Sequence, residues 1–489
     1  MGEEEQQQTL QQQQIYSDTE VTEAAQENQQ EYTWPLIRFD VPPHRTYHFY
    51  NQFRTSSIPN NFLKGIKWSP DGSSFLTSSE DKTLRIFSLP ENGISYDVNA
   101  CSLAKDQDSY EASLVVTEGE SVYDFCWFPH MSASGGLTIS MEGRFAQMCI
   151  YPTSCVFAST TRDHPIHLWD ATTGLLRCTY RAYDAVDEIT AAFSVAFNPT
   201  GTKIFAGYNK SVRVFDVHRP GRDFEKYSTL KGNKEGQAGI MSAIAFSPTH
   251  TGMLAIGSYS QTSAIYREDN MELLYVLHGQ EGGVTHVQFS RDGNYLYTGG
   301  RKLNTDAFSL KLGTLNMLRY RLDGFSSILA IDNTLYLNFL KDPYILCWDL
   351  RKAVQVVYKL YRSSEHTNQR ILFDIEPSGR HLGTGGQDGL VHIYDLQTGK
   401  WISGFQAAAD TVNGFSFHPF LPMAASSSGH RRFPVDDFED LHLSGIALCD
   451  ENCVSVWSFL YASMMENADG INGCEFNCQS EHENLNQDS

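Results

Sequence analysis

Seven times along this chain a short run alternates apolar and polar residues and then stops at a Pro, Asp or Gly turn. The runs are GIKWSPDG (65–72), YDFCWFPH (123–130), SVAFNPTG (194–201), SAIAFSPT (242–249), THVQFSRDG (285–293), LFDIEPSG (372–379) and GFSFHPF (414–420). Period-two alternation closed by such residues predicts a β-strand with one face in a core. Each run leads into a second strand of small residues: FLTSS, CVFAST, KIFAGY, MLAIGS, YLYTGG, HLGTGG and PMAASSS. A third strand follows with an aromatic residue near its end: LRIFSL, IHLWDA, VRVFDV, SAIYRE, ILCWDL, VHIYDL and VSVWSF.

Two of these third strands keep a literal Trp-Asp, at Trp169-Asp170 and Trp348-Asp349, and Phe215-Asp216 and Tyr394-Asp395 are close variants. Repeats of this kind are the signature of WD40 blades, each a four-stranded antiparallel sheet. The expected fold is therefore all-β, a seven-bladed WD40 β-propeller. The segment LIRFDVPPHRTYHFY (36–50) precedes the first unit and is the expected donor of the strand that closes the last blade and removes its open edge.

Counted from the turn proline, or from Arg291 where it is missing, the units are 59, 70, 49, 43, 86 and 42 residues apart. The WD40 period is about 40 to 45. The longest gap places an insertion at 303–341, between the second and third strands of blade five. Without it the line reads YLYTGGRKDPYILCWDL, an ordinary blade. Its leucine-rich content lacks helix caps and WD-type strands, and it reads as translated intervening sequence, with a binding loop as the alternative. A message joining Lys302 to Asp342 would establish the former. The 70-residue gap places a second excess near 136–153, in blade two.

Charge divides the chain into three. Of the 58 acids, eight fall within 1–31 and twelve within 434–489, stretches without Lys or Arg, so 32–433 keeps 38 acids against all 37 bases. The Gln/Glu-rich start has too little apolar surface to offset its ordering entropy. The expected organisation is a disordered tail over 1–33, the propeller over 34–460 and a disordered acidic tail over 461–489. The start MGEEEQQQ carries acids where a secretory signal carries bases, and Gln6 stands where a myristoylation signal needs Ser or Thr, so no targeting signal is expected. No run of about eighteen apolar residues is present, and no membrane partner is expected.

Chemistry narrows the function further. No phosphate loop, nucleophile elbow, metalloprotease or kinase motif occurs, so the chain reads as a non-enzyme without a cofactor. Two C-x3-C pairs, Cys449/Cys453 and Cys474/Cys478, have zinc-like spacing. Cys453 opens an apparent strand, however, and no metal site is expected. Ten cysteines in so long a chain fit a reducing compartment. In HPIH, His164 and His167 fall on opposite faces of a strand, and His167 reads as packing.

Propellers present loops around a central channel, here those between strands two and three and those between blades. These loops carry Lys64, Arg162, His164, Arg181, Arg370 and Arg431 with Phe62 and Tyr183. Lys and Arg hold phosphates, and Arg, Tyr and Phe stack on unpaired bases. A neutral propeller with one basic, aromatic face suits single-stranded RNA. A protein-binding scaffold whose loop charges pair with one another is the competing reading.

The runs NNFLKGIKWSPDG, DHPIHLWDATTGLLRCTYRAYDAVDEITAAFSVAFNPTG, VRVFDVHRPGRDFE and TNQRILFDIEPSG resemble the telomerase Cajal body protein family. The likeness runs with interruptions from about Phe62 to Trp457. It implies binding of a Cajal-body box in the terminal loop of small Cajal-body RNAs and of telomerase RNA. It also implies delivery of these particles to Cajal bodies in the nucleus, together with box H/ACA ribonucleoprotein and Cajal-body proteins. Phe62, Lys64, Arg162, His164, Arg181, Tyr183, Arg370 and Arg431 are the positions it implies for RNA contact. The two insertions and both tails depart from the family pattern.

Overall fold

The computed structural model describes residues 34–54, 58, 60–89, 111–131, 155–232, 235–249, 251–301, 310–311, 327–331, 334–338, 342–352, 355–364, 367–432 and 451–461. The tails over 1–33 and 462–489, most of 303–341 and all of 136–153 lie outside them.

Seven four-stranded antiparallel sheets follow one another along the chain. Their innermost strands are Leu63–Trp68, Val122–Trp127, Ser194–Phe197, Met241–Phe246, Gly283–Phe289, Phe373–Ile375 and Val412–Phe417. Each coincides with one of the seven alternating runs, and each ends at the turn the sequence marks. In the first, Asp71 Oδ1 accepts from the Ser73 N–H (3.1 Å) and the Ser69 hydroxyl (2.6 Å), and Gly72 takes the left-handed φ of 70° that completes the reversal.

The small second strands have a packing reason. Each lies under the innermost strand of the next blade, and a Cβ at Gly257 or Gly383 would overlap Val284 or Phe415. Larger side chains from neighbouring blades then interleave into continuous apolar layers, as where Ala243, Ala255, Val284, Leu296, Leu346 and Trp348 meet between blades four and five.

The ring closes as the sequence suggests. His44–Phe49 pairs antiparallel with Val454–Ser458, from His44 opposite Ser458 to Phe49 opposite Val454, and supplies the outer strand of blade seven. In blade five Tyr295–Arg301 pairs directly with Tyr344–Asp349, with Gly299 opposite Ile345, so the long connection leaves and returns between these two strands. Within this segment, which the sequence reads as lacking WD-type strands, Leu310–Lys311, Ser327–Ile331 and Thr334–Asn338 form a small three-stranded sheet separate from the blade. In blade two the first strand ends at Trp127 and the second begins at Val156, and Phe157 pairs opposite Trp127.

Two further long connections were not singled out from the sequence, although the first gap of 59 residues already exceeds the period. One runs from Ser88 to Leu114, between the third and fourth strands of blade one, and the other from Ser428 to Val454, between the second and third of blade seven. The second falls after the last turn proline, Pro419, where the count has no later turn to reach. Among the described residues no helix is long and apolar enough to cross a membrane.

Candidate nucleic-acid interface

The two loop sets meet on one face. Lys64, at the head of blade one, reaches Glu80 in the loop after that blade's second strand (2.7 Å) and the Ser121 hydroxyl between blades one and two (2.6 Å). Arg431 of blade seven binds the other oxygen of Glu80 at 2.7 Å, and its guanidinium lies 5.6 Å from the centre of the Phe62 ring. Two cations therefore share one carboxylate. Burial lowers the Lys64 pKa, Glu80 opposes that shift, and Arg431 adds to it. A burial penalty that Glu80 and the neighbouring Asp81 do not offset favours an arriving anion. Phe62 is buried, 5% exposed, so its ring backs the two cations and is covered as a stacking surface.

Arg162 and His164 sit beside this group. The Arg162 N–H donates to the Ser121 carbonyl at 3.3 Å, and His164 Nδ1 lies 2.6 Å from the Arg162 carbonyl. The Arg162 side chain is 65% exposed and faces an equally open Asp163 at 3.2 Å. Such a surface pair is worth about 0–1 kcal/mol, so a phosphate displaces it readily. Four successive loops here hold Lys82, Asp163, Lys210 and Gln261 at positive φ, where blade six uses Gly389.

Arg181 and Tyr183 stand apart, in the connection from blade two to blade three. The Arg181 side chain is exposed. Tyr183 is covered on one face by the Arg222 guanidinium, 3.9 Å from the ring centre, which is held in turn by Asp187 at 2.5 Å.

Arg370 is placed differently again, inside the channel. It reaches Asp124 of blade two at 3.3 Å, and Lys67 of blade one reaches the same carboxylate at 3.4 Å. Asp124 Oδ2 also accepts from the Val195 N–H of blade three at 3.2 Å. Burial alone would raise the Asp124 pKa; Lys67, Arg370 and the Val195 N–H hold it below the ordinary carboxylate value. Nearby, His286 stacks on Phe373 (4.4 Å, 21°), and burial reinforced by Arg370, Lys67 and Arg362 drives its pKa well down, so it stays neutral. The upper channel carries more positive than negative charge.

Sequence reasoning missed Tyr123, Phe193 and Asp124. Their signal was present in YDFCWFPH and in the AAFSVAFNP run, but only the strand geometry shows which way each side chain points. His167 is a packing residue as expected: its Nδ1 meets buried Glu118 at 2.7 Å, and Glu118 also accepts from Trp169 Nε1 at 3.0 Å. Cys453 is buried against the Ser428 hydroxyl at 3.1 Å, and Cys449, Cys474 and Cys478 lie outside the described residues.

Comparison with known proteins agrees with this architecture. The WD domain, G-beta repeat model matches residues 54–88, 186–216 and 271–302. Telomerase Cajal body protein 1 of Mesocricetus auratus is 38% identical over 395 residues, covering 79% of this chain and 61% of that protein. The Homo sapiens protein of the same name is 37% identical over 399 residues, with the same two shares. A more distant relative, the guanine nucleotide-binding protein negative regulator 1 of Schizosaccharomyces pombe, is 25% identical over 68% of this chain and 70% of its own. The chain spans about three fifths of the length of the first two relatives. With seven WD40 blades and this likeness along nearly four fifths of its length, the chain belongs to the telomerase Cajal body protein family.

Proposed function

We propose that the propeller binds single-stranded RNA across its loop-bearing upper face. Its ligands are the Cajal-body box of small Cajal-body RNAs and of telomerase RNA, and it directs these ribonucleoproteins to Cajal bodies in the nucleus. The observation that carries this reading is the shared carboxylate of Glu80. Lys64 and Arg431 both lean on it, beside the open Arg162 and the Lys67 and Arg370 pair of the channel.

Phosphates at these cations would fix the strand, and exposed bases would face the aromatic side chains of the channel mouth. The work is binding rather than catalysis. Box H/ACA ribonucleoprotein and Cajal-body proteins would then join through the RNA or through other surfaces of the blades.

A tagged chain expressed in cells tests the assignment. Nuclear foci that disperse on ribonuclease treatment, with small nuclear RNAs in the purified complex, are the expected result. Partner proteins retained after ribonuclease, with no enriched RNA, would make the chain a protein scaffold instead.

A further inference from the structure

The innermost strands of blades one, two, four, five and seven all begin with a β-bulge. The register skips between Leu63 and Gly65, Val122 and Asp124, Met241 and Ala243, Val284 and His286, and Val412 and Gly414. A bulge leaves one residue unpaired and re-aims its side chain. The residues so released are Lys64, Tyr123, Ser242, Thr285 and Asn413. Blade three has an equivalent in Phe193, whose N–H donates to the Gly207 carbonyl (2.8 Å) although Gly207 is already paired with Ser194.

These equivalent positions divide into two kinds. In blades four, five and seven the residue is small, polar and at most 2% exposed, and its side chain bonds to backbone: Ser242 to the Val284 carbonyl of blade five and Asn413 to the Leu63 carbonyl of blade one, across blade boundaries, and Thr285 to the Gly299 carbonyl within its own blade. In blades one to three it is Lys64, Tyr123 and Phe193, none fully buried. Lys64 already belongs to the cationic rim. Tyr123 and Phe193 stack on each other, with ring centres 5.4 Å apart and planes at 11°.

Two aromatic rings therefore occupy sites where blades four, five and seven place small, buried, hydrogen-bonded residues, and both are only partly buried. The Tyr123 hydroxyl, its pKa raised chiefly by burial, also feels Arg162, Asp163 and Tyr259. Tyr259 is itself half-buried and carries the Arg301 guanidinium 4.4 Å from its ring centre. An aromatic wall flanked by Arg162 and Arg301 thus continues from blade two to blade five.

From this placement, and resting on the RNA-binding reading above, we propose that Tyr123 and Phe193 form a stacking step that receives one unpaired nucleobase, while Arg162 and Lys64 hold the adjoining phosphates. Stacking on an aromatic face is available to every base, so the step supplies affinity, and sequence is read elsewhere.

The purified full chain is titrated with a fluorescein-labelled single-stranded RNA pool of about twelve randomised nucleotides, beside Tyr123→Ala/Phe193→Ala and Tyr123→Phe. The double variant should bind about tenfold or more weakly, as expected for loss of one stacked base, and Tyr123→Phe should stay within about twofold. Short-wave ultraviolet crosslinking of the wild-type complex should join RNA to the peptides bearing Tyr123 or Phe193, a readout that stands even where the double variant does not fold. Unchanged affinity in a folded double variant, or crosslinks confined to other peptides, overturns the stacking step and leaves the RNA reading in place. Absence of RNA binding by the wild-type chain overturns both.

Discussion

Asp124 holds Lys67 and Arg370 from different blades, at 3.4 and 3.3 Å, so replacing it with Asn separates what the channel does for folding from what it does for binding. Asn keeps a carbonyl oxygen for the Val195 N–H and removes the charge. Breaking a buried ion pair by deleting one partner costs about 3–5 kcal/mol. Here the cations are 33% and 22% exposed, so water screens them, and we expect about 2 kcal/mol of lost stability, a fall of a few degrees in Tm. The same substitution leaves one more uncompensated positive charge at the channel. At an effective dielectric of about 20 and roughly 8–10 Å from a docked phosphate, with screening by salt, that is worth about 1 kcal/mol, or about fivefold tighter RNA binding in low salt.

The two readouts move in opposite directions, which a general folding defect would not produce. Stability should also change its pH dependence. The folded Asp124 pKa lies below its unfolded value, so its contribution is complete above about pH 4 and is lost as pH falls further. Asp124→Asn should remove that acid limb. Thermal melts at neutral and acid pH and fluorescence anisotropy at low salt provide the measurements. Reduced stability with unchanged or weaker RNA binding would refute the idea that channel charge serves RNA.

Arg181→Ala and Arg431→Ala should weaken RNA of any sequence by similar factors and make the salt dependence shallower, by about 0.7 in the log–log slope for each phosphate no longer neutralised; slopes measured across a salt series decide this. Glu118→Ala, which strips partners from His167, Trp169 and Ser159 in the core of blade two, should cost about 3 kcal/mol by denaturant melt, and a loss below about 1 kcal/mol would contradict the structural role given to His167. A chain starting at residue 51 lacks the closing strand of blade seven and should aggregate, whereas one starting at 34 should unfold cooperatively; equal solubility of the two would refute closure through His44–Phe49. Joining Lys302 to Asp342 should give a folded propeller, because Gly299 already pairs with Ile345 across the insertion and Asp342 is anchored to Gln280 and the Gly282 N–H; an insoluble product would show that the inserted segment is required.

The ring was legible because its physics is local. A strand that buries one face must alternate, a turn needs its Gly or Asp, and a blade pressed on its neighbour needs small residues such as Gly257, so each left a mark in the order of residues. The closing strand could be inferred because a propeller cannot leave an edge open. The interface was less legible because its geometry is not local. Arg370 reads as an open cation in HTNQR, yet its partner is 246 positions away in the chain. Phe62 reads as a stacking residue, yet Lys64 and Arg431 flank its buried ring. Tyr123 looks like any strand residue until a one-residue bulge aims it at the channel mouth.

Crosslinking and immunoprecipitation of this chain, with sequencing of the bound RNA, beside an Arg162/Arg181/Arg370/Arg431→Ala variant, tests the central claim most directly. The account predicts enrichment of small nuclear RNAs that share a loop motif, lost in a variant whose melting shows it is still folded. No enrichment over control, or equal enrichment by that variant, would contradict it.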